Sequence, residues 1–336
     1  MSNDLRSRLL KNSTIKETTI LGDSKVFQPT IFYDTGIPII NLALSSDVDK
    51  GLFAGVTIIA GPSKHFKTKF ALEILRGFLK SDPEAIGIVY DNEFGSPASY
   101  FQSSNIPLDR VIYTPIMDME EWKFDIIKQL KMMEKTDKVL IIMDSIGNLA
   151  SKKELDDALE GESKQDMTRA KTLKSIFRMI TPYLNTKNIP FIGIGHTYQT
   201  QEMYSKSVVS GGTGAQYSSD NIWIIGRQQS KDGKEINGYD YIINIEKSRY
   251  VKEKSKFPIT VRYDRGIDKW SGMLDIAVEL GYIAKPSKGK YALVNQETGE
   301  ISEKTYKEDE ISYNDDFWME VMTPKFKAAL TERYTF

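Results

Sequence analysis

Five short runs of almost wholly apolar residues punctuate the middle of this chain, at residues 56–60, 86–90, 139–143, 191–195 and 222–226. Charged stretches with helical spacing separate them. A strand that is apolar at every position, not only at alternate ones, has to be buried on both faces. A mainly parallel sheet sandwiched between helices meets that condition, so the runs predict an α/β fold. Residues 241–246 and 257–262 alternate more and are predicted to add a hairpin to one edge. Residues 26–33, β-branched and aromatic around Pro29, read as an edge strand, because proline cannot donate to a central ladder.

Composition narrows the chemistry. With 336 residues, 40% hydrophobic and 27% charged, the chain can bury a large core. Zero cysteines exclude disulfides, thiol nucleophiles and every cysteine-ligated zinc or iron–sulfur site. Only His65 and His196 remain for imidazole chemistry, which excludes a histidine-rich metal centre. No apolar stretch approaches the roughly 18 residues of a membrane span, and the N-terminus MSNDLRSRLLKNS lacks a signal-peptide core. The expectation is a soluble cytoplasmic protein with no membrane partner. Basic and acidic residues nearly cancel, 45 against 46, so any nucleic-acid contact has to rest on local patches.

Residues 1–25 read as a short polar helix with Leu5, Leu9 and Leu10, followed by a Ser/Thr/Lys linker. After Gly272 the texture changes again. MLDIAVELG predicts a helix, residues 282–294 a hairpin turning near Lys288 and Gly289, and residues 303–320 carry seven acidic residues against two lysines. An aromatic-rich helix is predicted around Phe317, Trp318 and Phe326.

Residues 56–60 run directly into Gly61-Pro62-Ser63-Lys64-His65-Phe66-Lys67-Thr68-Lys69, and the helical pattern of Phe70, Leu72, Ile74, Leu75 and Phe78 follows. Strand, tight loop and helix is the setting in which backbone N–H groups and a helix N-terminus hold phosphate oxygens. Lys67 would reach the β- and γ-phosphates of a bound nucleotide, and the Thr68 hydroxyl would bind Mg²⁺. Phe66 stands where the G-x-x-x-x-G-K-[ST] pattern has its second glycine, and its Cβ predicts a negative φ. An ordinary strand-to-helix turn is the plain alternative.

Three more runs end in polar residues. Residues 139–143 lead into Asp144-Ser145, where a carboxylate at the end of a parallel strand can hold Mg²⁺ or simply cap the next segment. The run over 86–90 ends in Asp91 and Glu93, either of which could polarise an attacking water; the residues alone rank them equally. His196 closes the run over 191–195, a position that a structural histidine would fill equally well.

These four strand-end elements, in this order and spacing, resemble the RecA family of strand-exchange recombinases, in the form found in T-even bacteriophages. The residues that carry the resemblance are GPSKHFKT (61–68), YDNEFG (90–95), IMDSIGNLASKKE (142–154), DMTRAKTLKSIFR (166–178), GHTYQTQEMYSK (195–206), SGGTG (210–214) and NIEKSRYVKEKSKF (244–257). It implies a RecA-type P-loop core over 51–271, with a mainly parallel sheet flanked by helices. An N-terminal oligomerisation segment over 1–50 and a small C-terminal α+β domain over 272–336 complete the chain. It also implies an ATPase, using Mg²⁺ and stimulated by DNA, that forms a helical homopolymer on single-stranded DNA. That filament would exchange strands with homologous double-stranded DNA in recombination, repair and replication, helped by a loader and a single-strand-binding protein.

Residue by residue, the resemblance puts Glu93 in the place of the catalytic glutamate and Tyr100 where an aromatic stacks on adenine. His196 falls where a glutamine senses the γ-phosphate. Lys247 and Arg249 match a basic pair that reaches the γ-phosphate held by the neighbouring protomer. Their two-residue spacing in an extended segment predicts that both side chains point to one side; a solvated hairpin turn is the alternative.

Three segments are expected to contact nucleic acid. On the helix over 167–180, Leu173, Ile176, Phe177 and Ile180 fall on one side at 100° per residue, with Lys171, Lys174 and Arg178 opposite. Three bases without an acid suggest a phosphate-binding stripe, where a solvated face would mix signs. Residues 155–166, acidic and glycine-containing, predict a mobile loop that the resemblance makes the first DNA loop. Residues 197–214 by sequence alone read as a disordered connector; the resemblance makes them a DNA-contacting loop instead, with Tyr198 stacking on bases and Gly211, Gly212 and Thr213 letting backbone amides approach a phosphate. Two other functions share these features: a RecA-fold hexameric DNA helicase, and a DNA-binding module whose degraded ATP site no longer hydrolyses.

Overall fold

The structure, a computed structural model, describes residues 2–24, 30–161, 168–199, 207–210, 213–232, 235–262 and 266–336. Its strands are β1 (Phe32–Tyr33), β2 (Leu52–Phe53), β3 (Gly55–Gly61), β4 (Ile86–Asp91), β5 (Val111–Pro115), β6 (Val139–Asp144), β7 (Pro190–Gln199), β8 (Ser207–Val209), β9 (Asn221–Asp232), β10 (Glu235–Lys247), β11 (Lys256–Arg262), β12 (Gly266–Ile267), β13 (Ile283–Ser287) and β14 (Lys290–Leu293). The helices are α1 (Ser2–Asn12), α2 (Pro38–Ser45), α3 (Lys67–Ser81), α4 (Ala98–Gln102), α5 (Met119–Met132), α6 (Lys152–Leu159), α7 (Thr168–Thr186), α8 (Thr213–Ser218), α9 (Met273–Glu279), α10 (Glu308–Ser312), α11 (Asp315–Val321) and α12 (Pro324–Tyr334). Two compact units are present, Met1–Ile31 and Phe32–Phe336. No helix among the described residues is long and apolar enough to cross a membrane.

Among the described residues one mixed, mainly parallel sheet runs in the order β12-β11-β10-β9-β3-β7-β6-β4-β5, with β8 paired to β7. The reason the five runs are apolar throughout is visible in β3 and β4. Val56, Ile58 and Ala60 enter one core together with Ile88 and Tyr90, while Ile59 and Val89 enter the other. Helices α5 and α7 cover the first face through Trp122, Ile126, Leu173, Phe177 and Ile180. Helix α3 covers the second, joined by Met273, Phe317, Trp318 and Phe326 of the C-terminal segment.

The five runs and the edge hairpin of β10 and β11 form as expected. The opposite edge, β5, went unread, because Ile112 and Tyr113 are exposed and the segment lacks the apolar signature of its neighbours. Four expectations need correction. Of the strand predicted over 26–33 only Phe32 and Tyr33 are extended, paired with β2 in a separate two-stranded sheet; Val26 to Pro29 lie outside the described residues. The predicted mobile loop over 155–166 begins as helix α6, because the Ser151 side chain accepts a hydrogen bond from Glu154 N and caps it. The predicted loop over 197–214 contains an antiparallel pair, Thr197 to Gln199 against Val209 to Ser207. The single aromatic helix is two, α11 and α12, since Thr323 caps a new helix with Pro324 at its first position.

Candidate active site and nucleic-acid interface

Parallel pairing brings the polar strand ends to one level. Gly61 of β3 sits beside His196 of β7, and Asp91 of β4 beside Asp144 of β6. The carboxyl ends of parallel strands are where α/β sheets bind ligands. Here they meet the N-terminus of α3, which opens at Lys67 immediately after the 61–66 loop.

The loop has two residues in the left-handed region, Lys64 at φ 61° and Phe66 at φ 62°. The negative φ expected of Phe66 is therefore overturned. A left-handed non-glycine residue costs roughly 1–2 kcal/mol. The cost is offset by contacts from outside the loop. The Phe66 ring stacks on Tyr241 at 5.2 Å and meets Phe70 edge-on at 6.0 Å, and such aromatic pairs contribute about 0.5–1.5 kcal/mol each. Arg227 donates to the Lys64 carbonyl at 2.9 Å. Gly61 has a reason of its own, since a Cβ there would lie 3.0 Å from the Ile225 carbonyl. Pro62, Ser63 and Lys64 are exposed, and His65 turns back to the Ser63 carbonyl.

Lys67 is buried and donates to the Pro62 carbonyl at 2.9 Å. Burial lowers its pKa, opposed by the nearby Asp144 and Glu93. Thr68 Oγ1 donates to Asp144 Oδ2 at 2.7 Å. Asp144 is pushed up to about 6, first by burial, with the Thr68 hydrogen bond pulling down and Glu93 and Asp91 pushing further up. A buried carboxylate this poorly neutralised, beside a hydroxyl, suits a hard oxygen-seeking cation such as Mg²⁺. No group of three or more acids or histidines among the described residues could hold a metal alone. An ion here would complete its shell with phosphate oxygens and water.

The backbone places Asp91 and Glu93 differently. Asp91, 1% exposed, accepts from Glu93 N, Phe94 N and the Tyr113 hydroxyl, so it holds the turn that ends β4. Glu93, carried on that turn, keeps about a third of its side chain exposed (34%). Ser145 Oγ at 2.7 Å, Asn148 Nδ2 at 2.8 Å and His196 Nε2 at 3.0 Å all converge on Glu93 Oε1. Burial would raise its pKa, but these bonds outweigh burial and hold it below the ordinary glutamate range. Three donors on one oxygen fix the carboxylate. Ser145 and Asn148 were missed from the sequence, although both are polar residues directly after a buried strand.

Two nominated residues are placed otherwise than expected. Lys69 is buried and turned from the loop, paired with Glu73 at 3.2 Å and hydrogen-bonded to Ser104. Its helical i,i+4 relation to Glu73 draws it inward. Arg249 does not continue an extended strand, because β10 ends at Lys247 after a register shift and Ser248 Oγ accepts from Tyr250 N and Val251 N to make a turn. Both cations still engage one neighbouring segment. Lys247 donates to the Gln216 and Tyr217 carbonyls at the end of α8, and Arg249 pairs with Asp220 at 2.5 Å. Tyr100, on α4, is half-buried beside Lys69, whose ammonium lies 5.7 Å from its ring; burial and then Asp144 raise its pKa to about 12.

Helix α7 divides as its periodicity predicts. Leu173, Ile176, Phe177 and Ile180 are buried, while Lys171, Lys174 and Arg178 are exposed. Helix α8 packs on it at Lys174 through Gly214, where a Cβ would lie 2.6 Å from the Lys174 Cα. Thr213 opens α8, Tyr198 is 57% exposed on the β7–β8 hairpin, and Gly211 and Gly212 lie outside the described residues. Arg169, also unread in the sequence, binds the Gly147 and Leu149 carbonyls and so ties the start of α7 to the turn that carries Asn148.

Comparison with known proteins gives consistent relatives. The chain is 50% identical over 300 residues to the recombination and repair protein of Enterobacteria phage T4, covering 89% of this chain and 77% of that protein. The C-terminal domain family of that T4 recombination and repair protein, UvsX, matches residues 270–330. Protein RecA of Chloroherpeton thalassium is 26% identical over 301 residues, covering 88% of this chain and 81% of RecA. Protein RecA of Streptomyces ambofaciens is 24% identical over 262 residues, covering 77% and 68%.

Proposed function

This chain belongs to the family of the phage T4 recombination and repair protein and is a RecA-type recombinase, and from that premise we propose that it is a DNA-stimulated ATPase. In this reading it polymerises on single-stranded DNA and exchanges strands with a homologous duplex. The observation that carries the reading is the convergence of Lys67, Thr68, Asp144, Glu93 and His196 at one end of a parallel sheet.

In the proposed mechanism the loop amides of 61–68 and the α3 N-terminus hold the ATP phosphates, and Lys67 leaves the Pro62 carbonyl for the γ-phosphate. Thr68 and Asp144 are the residues to hold Mg²⁺, which when bound neutralises phosphate charge. Glu93, fixed through Oε1, takes the proton of the attacking water on Oε2 as the bond from water oxygen to the γ-phosphorus forms and the bond to the bridging oxygen breaks. ADP and phosphate leave. His196, 3.0 Å from Glu93, is the group for which the γ-phosphate would compete, which makes it a sensor of nucleotide state. Tyr100 stacks on adenine.

Lys247 and Arg249 act on the nucleotide of the adjoining protomer, after exchanging the Gln216 carbonyl and Asp220 for phosphate oxygens. DNA lies along Lys171, Lys174 and Arg178, with Tyr198 stacking on bases and 211–213 supplying backbone amides. The N-terminal unit, whose α1 exposes Leu5 and Leu9, serves self-association within a 1–50 segment, ahead of a 51–271 core and a 272–336 C-terminal domain. A loader and a single-strand-binding protein assist in the host cytoplasm. Negative-stain imaging with ATP and single-stranded DNA tests the assembly. Helical filaments on DNA are expected, and closed rings would instead mean a hexameric helicase.

A further inference from the structure

We infer that the β9–β10 pair is a clamp on the phosphate loop, with Phe66, Tyr241 and Arg227 as its positioning residues. This rests on the reading of residues 61–68 as the nucleotide phosphate site. A loop that cradles phosphate needs its amides aimed inward, and left-handed residues are how a backbone makes such a concave nest. Glycine adopts that conformation unaided; Lys64 and Phe66 do not, and each is met from outside the loop. Arg227 of β9 holds the Lys64 carbonyl at 2.9 Å and sets its guanidinium 4.6 Å from the Tyr239 ring centre. Tyr241 of β10 lies flat against Phe66, with a 25° angle between the rings, and is itself only 3% exposed. Phe70, fully buried one turn into α3, closes the triangle at 5.9 Å from Tyr241. Tyr239 and Tyr241 are two residues apart on one strand and so share a face, and Arg227 is the register partner of Tyr241.

The consequence is that two residues far from the loop in sequence set how well the loop binds a nucleotide. The phenylalanine at the glycine position then becomes the point at which the antiparallel edge of the sheet grips the loop. Without the stack, the left-handed turn at residue 66 keeps only the edge-on Phe70 contact, and the loop relaxes from its phosphate-binding shape.

The test is the affinity of the full-length chain for a fluorescent ATP analogue with Mg²⁺, without DNA. Thermal melting without nucleotide monitors folding separately. Tyr241→Ala is expected to weaken binding by about three- to tenfold, the range for loss of one aromatic pair. Tyr241→Phe, which keeps the ring, is expected to bind as the parent does. Because both residues act through one stack, Phe66→Ala with Tyr241→Ala is expected to bind no more weakly than the worse single variant. Arg227→Gln changes an exposed side chain, so it tests the clamp even if Tyr241→Ala fails to fold; its affinity is expected to fall as well. Parent-like affinity in Arg227→Gln, or in folded Tyr241→Ala, would overturn the inference, as would losses that multiply in the double variant. Lys67→Ala separates the two ideas. If it retains full affinity, the phosphate-site reading itself fails; if it loses affinity while the clamp variants do not, only the clamp fails.

Discussion

Glu93 Oε1 and His196 Nε2 lie 3.0 Å apart, joining the end of β4 to the continuation of β7 across the strand between them. The contact places the candidate base and the candidate γ-phosphate sensor in one hydrogen-bonded unit. A change at the candidate sensor would therefore be felt by the candidate base.

Glu93→Gln is expected to bind nucleotide normally and to lose about 10²- to 10⁴-fold in hydrolysis, the contribution of a positioned general base. Asp91→Asn is expected to stay within a few-fold of the parent rate, because Asp91 is occupied with Glu93 N, Phe94 N and Tyr113. Steady-state turnover of the two variants decides the assignment. The reverse order would make Asp91 the base.

The acid limb of the rate profile follows from the donors on Glu93. Its pKa is held below the ordinary range, so the base stays ionised to correspondingly low pH. Asn148→Ala removes one donor and lets burial push the pKa back up. Loss of activity on acidification is then expected to begin at higher pH in Asn148→Ala than in the parent. Profiles of kcat against pH check this, and an unmoved acid limb would show that Asn148 does not act through Glu93.

Replacing Lys171, Lys174 and Arg178 together is expected to weaken single-stranded DNA binding and to flatten its salt dependence. Each phosphate contact on a single strand contributes about 0.7 to the slope of log K against log salt. Loss of three should lower its magnitude by about 2. Affinities across a salt series give the slope, and an unchanged value would leave that face of α7 in plain solvent.

Lys247→Ala with Arg249→Ala is expected to bind ATP but hydrolyse it at least 10³-fold more slowly, the scale of a missing cation delivered in trans. Mixed with Lys67→Ala, this variant is expected to recover partial activity, since some interfaces then pair a normal loop with a normal basic pair. No recovery in filaments shown to contain both would mean the pair acts within its own chain, as its contacts with Gln216 and Asp220 in the single protomer allow.

The sheet was legible because burial on both faces leaves a continuous apolar run, as in β3 and β6. The strand-end residues were legible because parallel pairing aligns them. What escaped was set by contacts distant in sequence or by local geometry that composition does not encode. Phe66 takes a left-handed φ because Tyr241 and Phe70 support its ring. Asp91 and Glu93 are equivalent as letters, and only the turn between them separates a structural cap from a presented carboxylate. Lys69 follows the loop in sequence but belongs to the helix, where Glu73 claims it. The 155–166 stretch looked like a loop by composition, and a single serine cap made its beginning a helix.

The loop at 61–68 and the strand-end residues around it are proposed to form an ATPase that DNA switches on. Release of radiolabelled phosphate from ATP, measured with and without single-stranded DNA for the parent chain and for Lys67→Ala, is the deciding measurement. The expected result is turnover by the parent that rises on adding DNA, and none above background in Lys67→Ala under either condition. Near-parental turnover in Lys67→Ala, or a parent that hydrolyses no ATP with DNA present, would contradict it.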